Sequence, residues 1–256
     1  MKKVLALLLA LVLLSLAACG ADSDKPTDKA PQLSGPTQNQ PPSQTQNPTQ
    51  GGGNVPTVSR MLSETITYSN SNGSLQTRYI YDDNGILLQK LEITDGNEAE
   101  AKVYIVECDA HGNPLKETCG ELENTYAYNE QGQLVRQVVP GMTITYNYDP
   151  NGRPMSSAAT MGPSAVVQRN IWENDVMVAR EVLIDGALDA VIRFTYDAQG
   201  RIAREDVYGV DETLRSYTVY TYTDTENGYT RKVVSYNADG TEAQTIVQEY
   251  ANYPAL

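Results

Sequence analysis

One phrase recurs along this chain: an aromatic residue, any residue, Tyr, then Asp or Asn, two further residues, and Gly. It reads Tyr79-Ile80-Tyr81-Asp82-Asp83-Asn84-Gly85, and then Tyr126-Ala127-Tyr128-Asn129-Glu130-Gln131-Gly132. It returns as Tyr146-Asn147-Tyr148-Asp149-Pro150-Asn151-Gly152 and as Phe194-Thr195-Tyr196-Asp197-Ala198-Gln199-Gly200. An internal repeat constrains architecture before any single residue is weighed, because each copy is the same small unit.

The unit is a β-hairpin. In Met142-Thr143-Ile144-Thr145-Tyr146-Asn147-Tyr148 the apolar and aromatic residues alternate with polar ones, and Ala190 to Tyr196 does the same. Period two in Tyr, Thr and Ile describes a strand with one buried face. The Asp-x-x-Gly that follows is turn chemistry. Asp or Asn can accept from the backbone two residues on, and Gly supplies the positive φ of a type I turn closing in a G1 bulge. Turn glycines recur at Gly73, Gly85, Gly112, Gly132, Gly152, Gly200, Gly228 and Gly240. A variant unit places Trp172 in the Tyr slot, with Asn174-Asp175 as a shorter turn. Turns of a second set, such as Asp95-Gly96, Pro140-Gly141 and Asp185-Gly186, fall between them. The expectation is an all-β antiparallel meander of about 14–16 strands, twisted or rolled into an open barrel-like sheet. Its tyrosines point inward and need hydroxyl partners there. A flat single-layer sheet is the structural alternative.

The N-terminus carries an address. Lys2 and Lys3 precede an apolar run from Val4 to Leu14, which is shorter than the ~20 residues of a membrane-spanning helix and has the layout of a secretory signal peptide. It ends Leu16-Ala17-Ala18-Cys19-Gly20, which resembles the lipobox of bacterial lipoproteins. That resemblance implies cleavage before Cys19, more than one acyl chain on Cys19, and attachment of the protein to a membrane through lipid. Stable anchoring needs more than one acyl chain. The expected organisation is a signal peptide over 1–18, an acylated Cys19 with a stalk over 19–57, and a repeat domain over 58–256. The stalk is rich in Pro, Gln, Asn, Thr and Gly, and such a segment cannot bury enough apolar surface to offset its ordering entropy. Loss of Lys2 and Lys3 with the leader moves the formal charge from −13 to about −15. An acidic chain without a basic cluster is a poor match for nucleic acid and suits a solvated exported domain.

Tyr79 to Leu87 resembles the Tyr-x-Tyr-Asp-x-x-Gly-x-Leu signature of the YD, or Rhs-type, repeats. Tyr79, Tyr81, Asp82, Gly85 and Leu87 all fall in place. Phe194 to Ile202 and Tyr126 to Leu134 are close variants; Val106 to Pro114 departs, with Cys108 in the second Tyr slot. The resemblance spans roughly Ser63 to Tyr250. It implies a β-hairpin shell and a cell-surface setting in which some members bind carbohydrate. Long members enclose a C-terminal toxin. The repeats here run almost to Leu256, so that role is not carried over.

Few residues point to chemistry. His111 is the only histidine and sits where a variable turn residue is expected; one His offers little to a zinc site, which needs several clustered ligands. Turn acids such as Asp82-Asp83 are explained by the turns themselves, and no cofactor, metal or catalytic residue is expected. Cys108 and Cys119 are the remaining thiols. A hairpin turning near His111 sets Cys108 opposite about position 115, so Cys119 lies about 13 Å further along, beyond disulfide reach. The aromatic content, 17 Tyr against one Phe and one Trp, is a better signal. Tyr217, Val219 and Tyr229 break the one-face pattern, so Tyr217, Tyr229 and Trp172 are the candidate ligand-contacting aromatics. The expectation is a non-catalytic module binding envelope or host glycan or a partner protein, with assembly through sheet edges as the first alternative and an enzyme with an unrecognised site as the second.

Overall fold

The computed structural model describes residues 57–69 and 73–254. The leader, Cys19 and the stalk up to Pro56 lie outside the described residues. The strands are β1 (Thr57–Tyr68), β2 (Ser74–Tyr81), β3 (Leu87–Thr94), β4 (Lys102–Cys108), β5 (Pro114–Cys119), β6 (Leu122–Tyr128), β7 (Leu134–Val139) and β8 (Met142–Tyr148). They continue as β9 (Pro154–Met161), β10 (Ser164–Glu173), β11 (Val176–Ile184), β12 (Ala187–Tyr196), β13 (Ile202–Gly209), β14 (Leu214–Thr225), β15 (Gly228–Asn237) and β16 (Glu242–Pro254). Each pairs antiparallel with its neighbours in sequence, and β16 pairs with β1 to close a sixteen-stranded barrel. One 3-10 turn, Glu98–Glu100, interrupts the meander between β3 and β4.

The turn chemistry is repeated almost atom for atom. Asp82 Oδ1 accepts from the backbone N–H groups of Asn84 and Ile86, each at 2.9 Å. Asp109, Asn129, Asp149 and Asp197 hold their turns with the same pair of bonds. In each, the Gly N–H donates back to the Asp or Asn carbonyl, as Gly85 does to Asp82 at 3.0 Å. Gly85 sits at φ +78°, the left-handed conformation that closes a G1 bulge. The register duly slips by one residue at Ile80/Tyr81, Ala127/Tyr128, Asn147/Tyr148 and Thr195/Tyr196. Asn174 and Asp175 are both at positive φ, 48° and 63°, the two-residue I′ solution.

These bulges explain the second Tyr of the phrase. Tyr148 Oη donates to the Leu134 carbonyl at 2.9 Å, Tyr128 to Pro114 at 2.9 Å, Tyr196 to Met177 at 2.6 Å and Tyr222 to Ile202 at 3.1 Å. Each acceptor opens, or nearly opens, the return strand of the preceding hairpin, where the bulge leaves the ladder incomplete. Trp172 Nε1 donates to the Pro154 carbonyl at 3.1 Å, and Cys108 Sγ to Leu87 at 3.4 Å. The departures from the repeat therefore keep its hydrogen bond with a different donor. Phe would fill the space but leave a carbonyl without its donor. Tyr148→Phe is expected to destabilise the barrel by about 1 kcal/mol, read from urea unfolding. No change would mean that water replaces the hydroxyl.

Alternation gives the barrel two unlike faces. Register links Glu64, Gln248, Arg231 and Tyr222 on one face, and Glu117, Asn124, Gln137, Ile144, Ala159 and Val166 fall on or continue the same side. That face holds most of the buried residues, including Ile144 at 0% exposure, and is the inner wall. Met142, Ile144, Ala159 and Val166 make its apolar centre. The outer face carries mid-strand charges: Arg78, Lys116, Arg136, Arg169, Arg193 and Lys232. Exposed Ile80, Val103, Ile105 and Ile171 share that face, so its apolar surface is interrupted by charge, unlike the continuous apolar band of a lipid-facing barrel.

The strand count agrees with the expectation, as do Gly73/Gly85 and Gly228/Gly240 at opposite ends of single strands. The rolled, barrel-like sheet is as expected, and it closes. Eleven residue pairs join β1 to β16, from Thr57↔Pro254 to Tyr68↔Gln244. Side chains cross the seam as well, with Ser59 Oγ donating to Asn252 at 2.8 Å and Ser63 Oγ to Glu249 at 3.0 Å. Closure leaves no sheet edge among the described residues, which removes the basis for assembly by edge pairing.

Candidate functional site

The inner wall carries a polar network beside its apolar centre. Gln248 Nε2 donates to Glu64 at 2.5 Å, and Arg231 Nε donates to Gln248 Oε1 at 2.6 Å. Further round, Arg180 Nε donates to Asn170 Oδ1 at 2.8 Å and its guanidinium lies 5.5 Å from the Phe194 ring centroid. Glu205 is hydrogen-bonded to Tyr220 and feels the charge of Arg180. On the other side, Lys90 Nζ meets Glu117 Oε2 at 2.8 Å, and Asn124 donates to the same oxygen at 3.1 Å. Burial pushes the Glu64 and Glu205 carboxyls above the usual carboxylate range and pulls the Arg180 guanidinium down. Tyr104 is pushed up to about 12 by burial and by Glu92. Most of these charged or amide groups are already partnered, so this lattice holds the wall together and offers a ligand little.

The outer face of β12 to β15 is different. Register sets Arg193, Asp206, Tyr217 and Tyr236 side by side in one row across four strands. Tyr217 and Tyr236 stack with centroids 4.8 Å apart and planes 17° from parallel. That separation equals the ~4.8 Å spacing of neighbouring strands, so the rings stand up from the sheet, face to face. Arg204, one row along, lies 4.0 Å from the Tyr217 centroid, and its Nε and Nη2 donate to Asp206 Oδ1 at 2.8 and 2.7 Å. Tyr217 is thus flanked by Tyr236 from β15 and by Arg204 from β13. Arg193 lies 4.6 Å from the Tyr208 centroid and is exposed. It makes no ion pair among the described residues, although Asp206 sits directly across from it. Of the row, Arg193 is exposed, Tyr217 and Tyr236 are half-buried, and Asp206 is largely covered by Arg204.

The candidate aromatics separate. Tyr217 is on the outer face, as its break in pattern suggested. Tyr229 is on the inner face, stacked on Tyr250 at 4.4 Å and 12°. It is half-buried, like Tyr217, but on the opposite face, because its apparent phase break comes from the β14–β15 turn, after which Gly228 resets the alternation. Trp172 lies on β10 in the repeat's donor slot, 5.7 Å from the Arg153 guanidinium. The three do not form one site. His111 is an exposed turn residue whose N–H is held by Asp109 at 2.8 Å. Cys108 pairs with Pro114 and Cys119 with Leu122, at opposite ends of β5, and both thiols are free. Burial and the neighbouring Asp109 push Cys108 up to about 11, so it is a poor nucleophile. Among the described residues no three His, Cys, Asp or Glu side chains are grouped to hold a metal ion. Sequence reasoning missed Arg193, Arg204, Tyr208 and Tyr236, whose signal lay only in outward parity along four strands.

No family model matches the chain, and no curated protein does. Among solved structures, the fold is similar to that of a porin-like protein from Bacteroides uniformis ATCC 8492. The TM-score is 0.51 at 12% identity, over 75% of this chain and 97% of that one. A variant of S. aureus TarM aligns over 46% of this chain and 20% of its own with 8% identity and a TM-score of 0.18, which is no likeness of fold. The solved structures thus support the barrel architecture alone.

Proposed function

We propose that this protein is an exported, membrane-anchored lipoprotein, held by lipid on Cys19, whose barrel is a non-catalytic glycan-binding module of the cell envelope or of a host surface. The observation that carries the binding reading is the outer row of Arg193, Asp206, Tyr217 and Tyr236 with Arg204 beside it. It gathers donors, an acceptor and aromatic surface on a rigid, water-facing wall, where a preorganised site loses little entropy on binding. Closure of the barrel favours binding through this face over pairing through a strand edge. The barrel neighbour is described as porin-like, but a membrane pore is opposed here by the mid-strand charges on the outer face. The proposed role is retention of a ligand rather than its conversion.

The test is a glycan array probed with the full chain carrying Cys19→Ser. Selective binding supports the module; release of shortened sugar chains would make it an enzyme. In cells, Cys19→Ser is expected to remove nearly all of the protein from the membrane fraction and abolish fatty-acid labelling. Persistent membrane attachment would defeat the lipid-anchor reading.

A further inference from the structure

The ligand class can be narrowed, resting on the glycan reading above. We infer that the Arg193–Asp206–Tyr217–Tyr236 row takes a carboxylate-bearing polysaccharide, a polyuronate chain lying across β12 to β15, in preference to a neutral glycan. Three features carry this.

The first is the state of the aromatic rings. Neutral sugars are usually held by stacking their C–H face on an open ring. Tyr217 has Tyr236 at 4.8 Å on one side and the Arg204 guanidinium at 4.0 Å on the other, so its faces are taken. What remains are hydroxyls and edges, which hydrogen-bond and do not stack.

The second is charge. The chain is strongly acidic, −13 overall, yet the outer face of β12 to β15 carries Arg193, Arg204, Arg215 and Lys232 against Asp189 and Asp206, and Asp189 is taken by Arg215 at 2.9 Å. Arg193 has no carboxylate partner among the described residues and is held over Tyr208 at 4.6 Å. Its direct neighbour Asp206 is already engaged by Arg204 through Oδ1. A guanidinium left free beside an occupied carboxylate is set to receive a carboxylate from outside, in the bidentate geometry that Arg favours.

The third is period. The row advances by one strand, ~4.8 Å, per side chain, close to the advance of a polysaccharide by one pyranose. A uronate over Arg193 therefore places the following pyranoses over Asp206, Tyr217 and Tyr236. An acidic polypeptide supplies carboxylates too, but an extended chain advances by ~3.3 Å per residue and does not match the strand spacing of the row, so the saccharide is favoured.

Calorimetric titration of the full chain carrying Cys19→Ser tests this with three probes: polygalacturonate, its fully methyl-esterified form, and polyglutamate. Polygalacturonate is expected to bind, with the other two weaker by about ten-fold or more, as loss of a charge-assisted contact implies. Arg193→Gln should weaken polygalacturonate by about ten-fold while the unfolding midpoint stays unchanged, because the side chain is exposed. Equal binding of the esterified form, equal binding of polyglutamate, or an unaffected Arg193→Gln variant would each overturn the inference. Silence toward polygalacturonate with selective neutral glycans on the array would overturn the ligand class and leave the binding module standing. Silence on both would overturn the two together.

Discussion

Gly228→Ala should destabilise the barrel by about 4 kcal/mol, the range of a clash that cannot relax added to backbone strain. Gly228 has φ +154°, and a methyl group there would land on the Tyr250 carbonyl oxygen and within 2.9 Å of Ala251 Cα. Both obstacles are backbone of β16, fixed by the pairs Gly228↔Ala251 and Tyr229↔Tyr250. A flexible side chain could swing aside; these atoms can move only if β15 and β16 part, next to the seam that closes the barrel. Gly141→Ala is the control. Gly141 is also at positive φ, +79°, but a Cβ there meets nothing within 4 Å, so only the left-handed penalty of about 1 kcal/mol applies. Urea unfolding of both variants separates the two terms, and equal losses would mean that the approach to Tyr250 is not what selects glycine.

Arg180→Ala should lose about 1–2 kcal/mol at pH 8, as a half-buried charge loses a favourable partner, and clearly less at pH 5. Arg180 holds Asn170 and faces Phe194, and its positive charge is the main favourable influence on the Glu205 carboxylate. Burial already raises Glu205 above its ordinary value, so the folded protein binds that proton more tightly than the unfolded chain does. A raised acid contributes stability that is full below the unfolded value, near 4.5, and lost as pH rises through the folded one. Removing Arg180 pushes the folded value higher still and deepens the loss on the alkaline side. Adding Glu205→Gln should recover part of the stability at pH 8 and flatten the pH dependence. Denaturant midpoints at the two pH values read this directly, and a loss independent of pH would assign Arg180 a packing role only.

The legible parts of this molecule were local. Asp82, Asp109, Asn129, Asp149 and Asp197 specify their turns with atoms at most four residues away, so Asp-x-x-Gly could be read as a type I turn with a G1 bulge without any tertiary knowledge. The inward alternation of Met142 to Tyr148 was legible for the same reason, since the pleat has period two. The second Tyr was half legible. Its need for a partner followed from burial, but the acceptor, a carbonyl 14 to 20 residues earlier, depends on how one hairpin lies on the next. Tyr229 was misread because a one-residue change of phase at a turn exchanges the two faces, and only the register beyond Gly228 shows which face results.

The candidate site was less legible than the fold. Arg193, Asp206, Tyr217 and Tyr236 are spread over 44 residues of chain, and each looks like an ordinary outward residue of its own strand. Three successive registers bring them into one row. The amino-acid sequence by itself determined the hairpin unit, its turns and the meander order, because each rests on contacts or spacings within one or two hairpins. Only the tertiary structure decided that β16 returns to β1, that Gln248 reaches Glu64 across 184 residues, and that a cationic aromatic row lies on an acidic barrel. Those depend on accumulated twist and register around the whole ring, quantities that no single repeat contains.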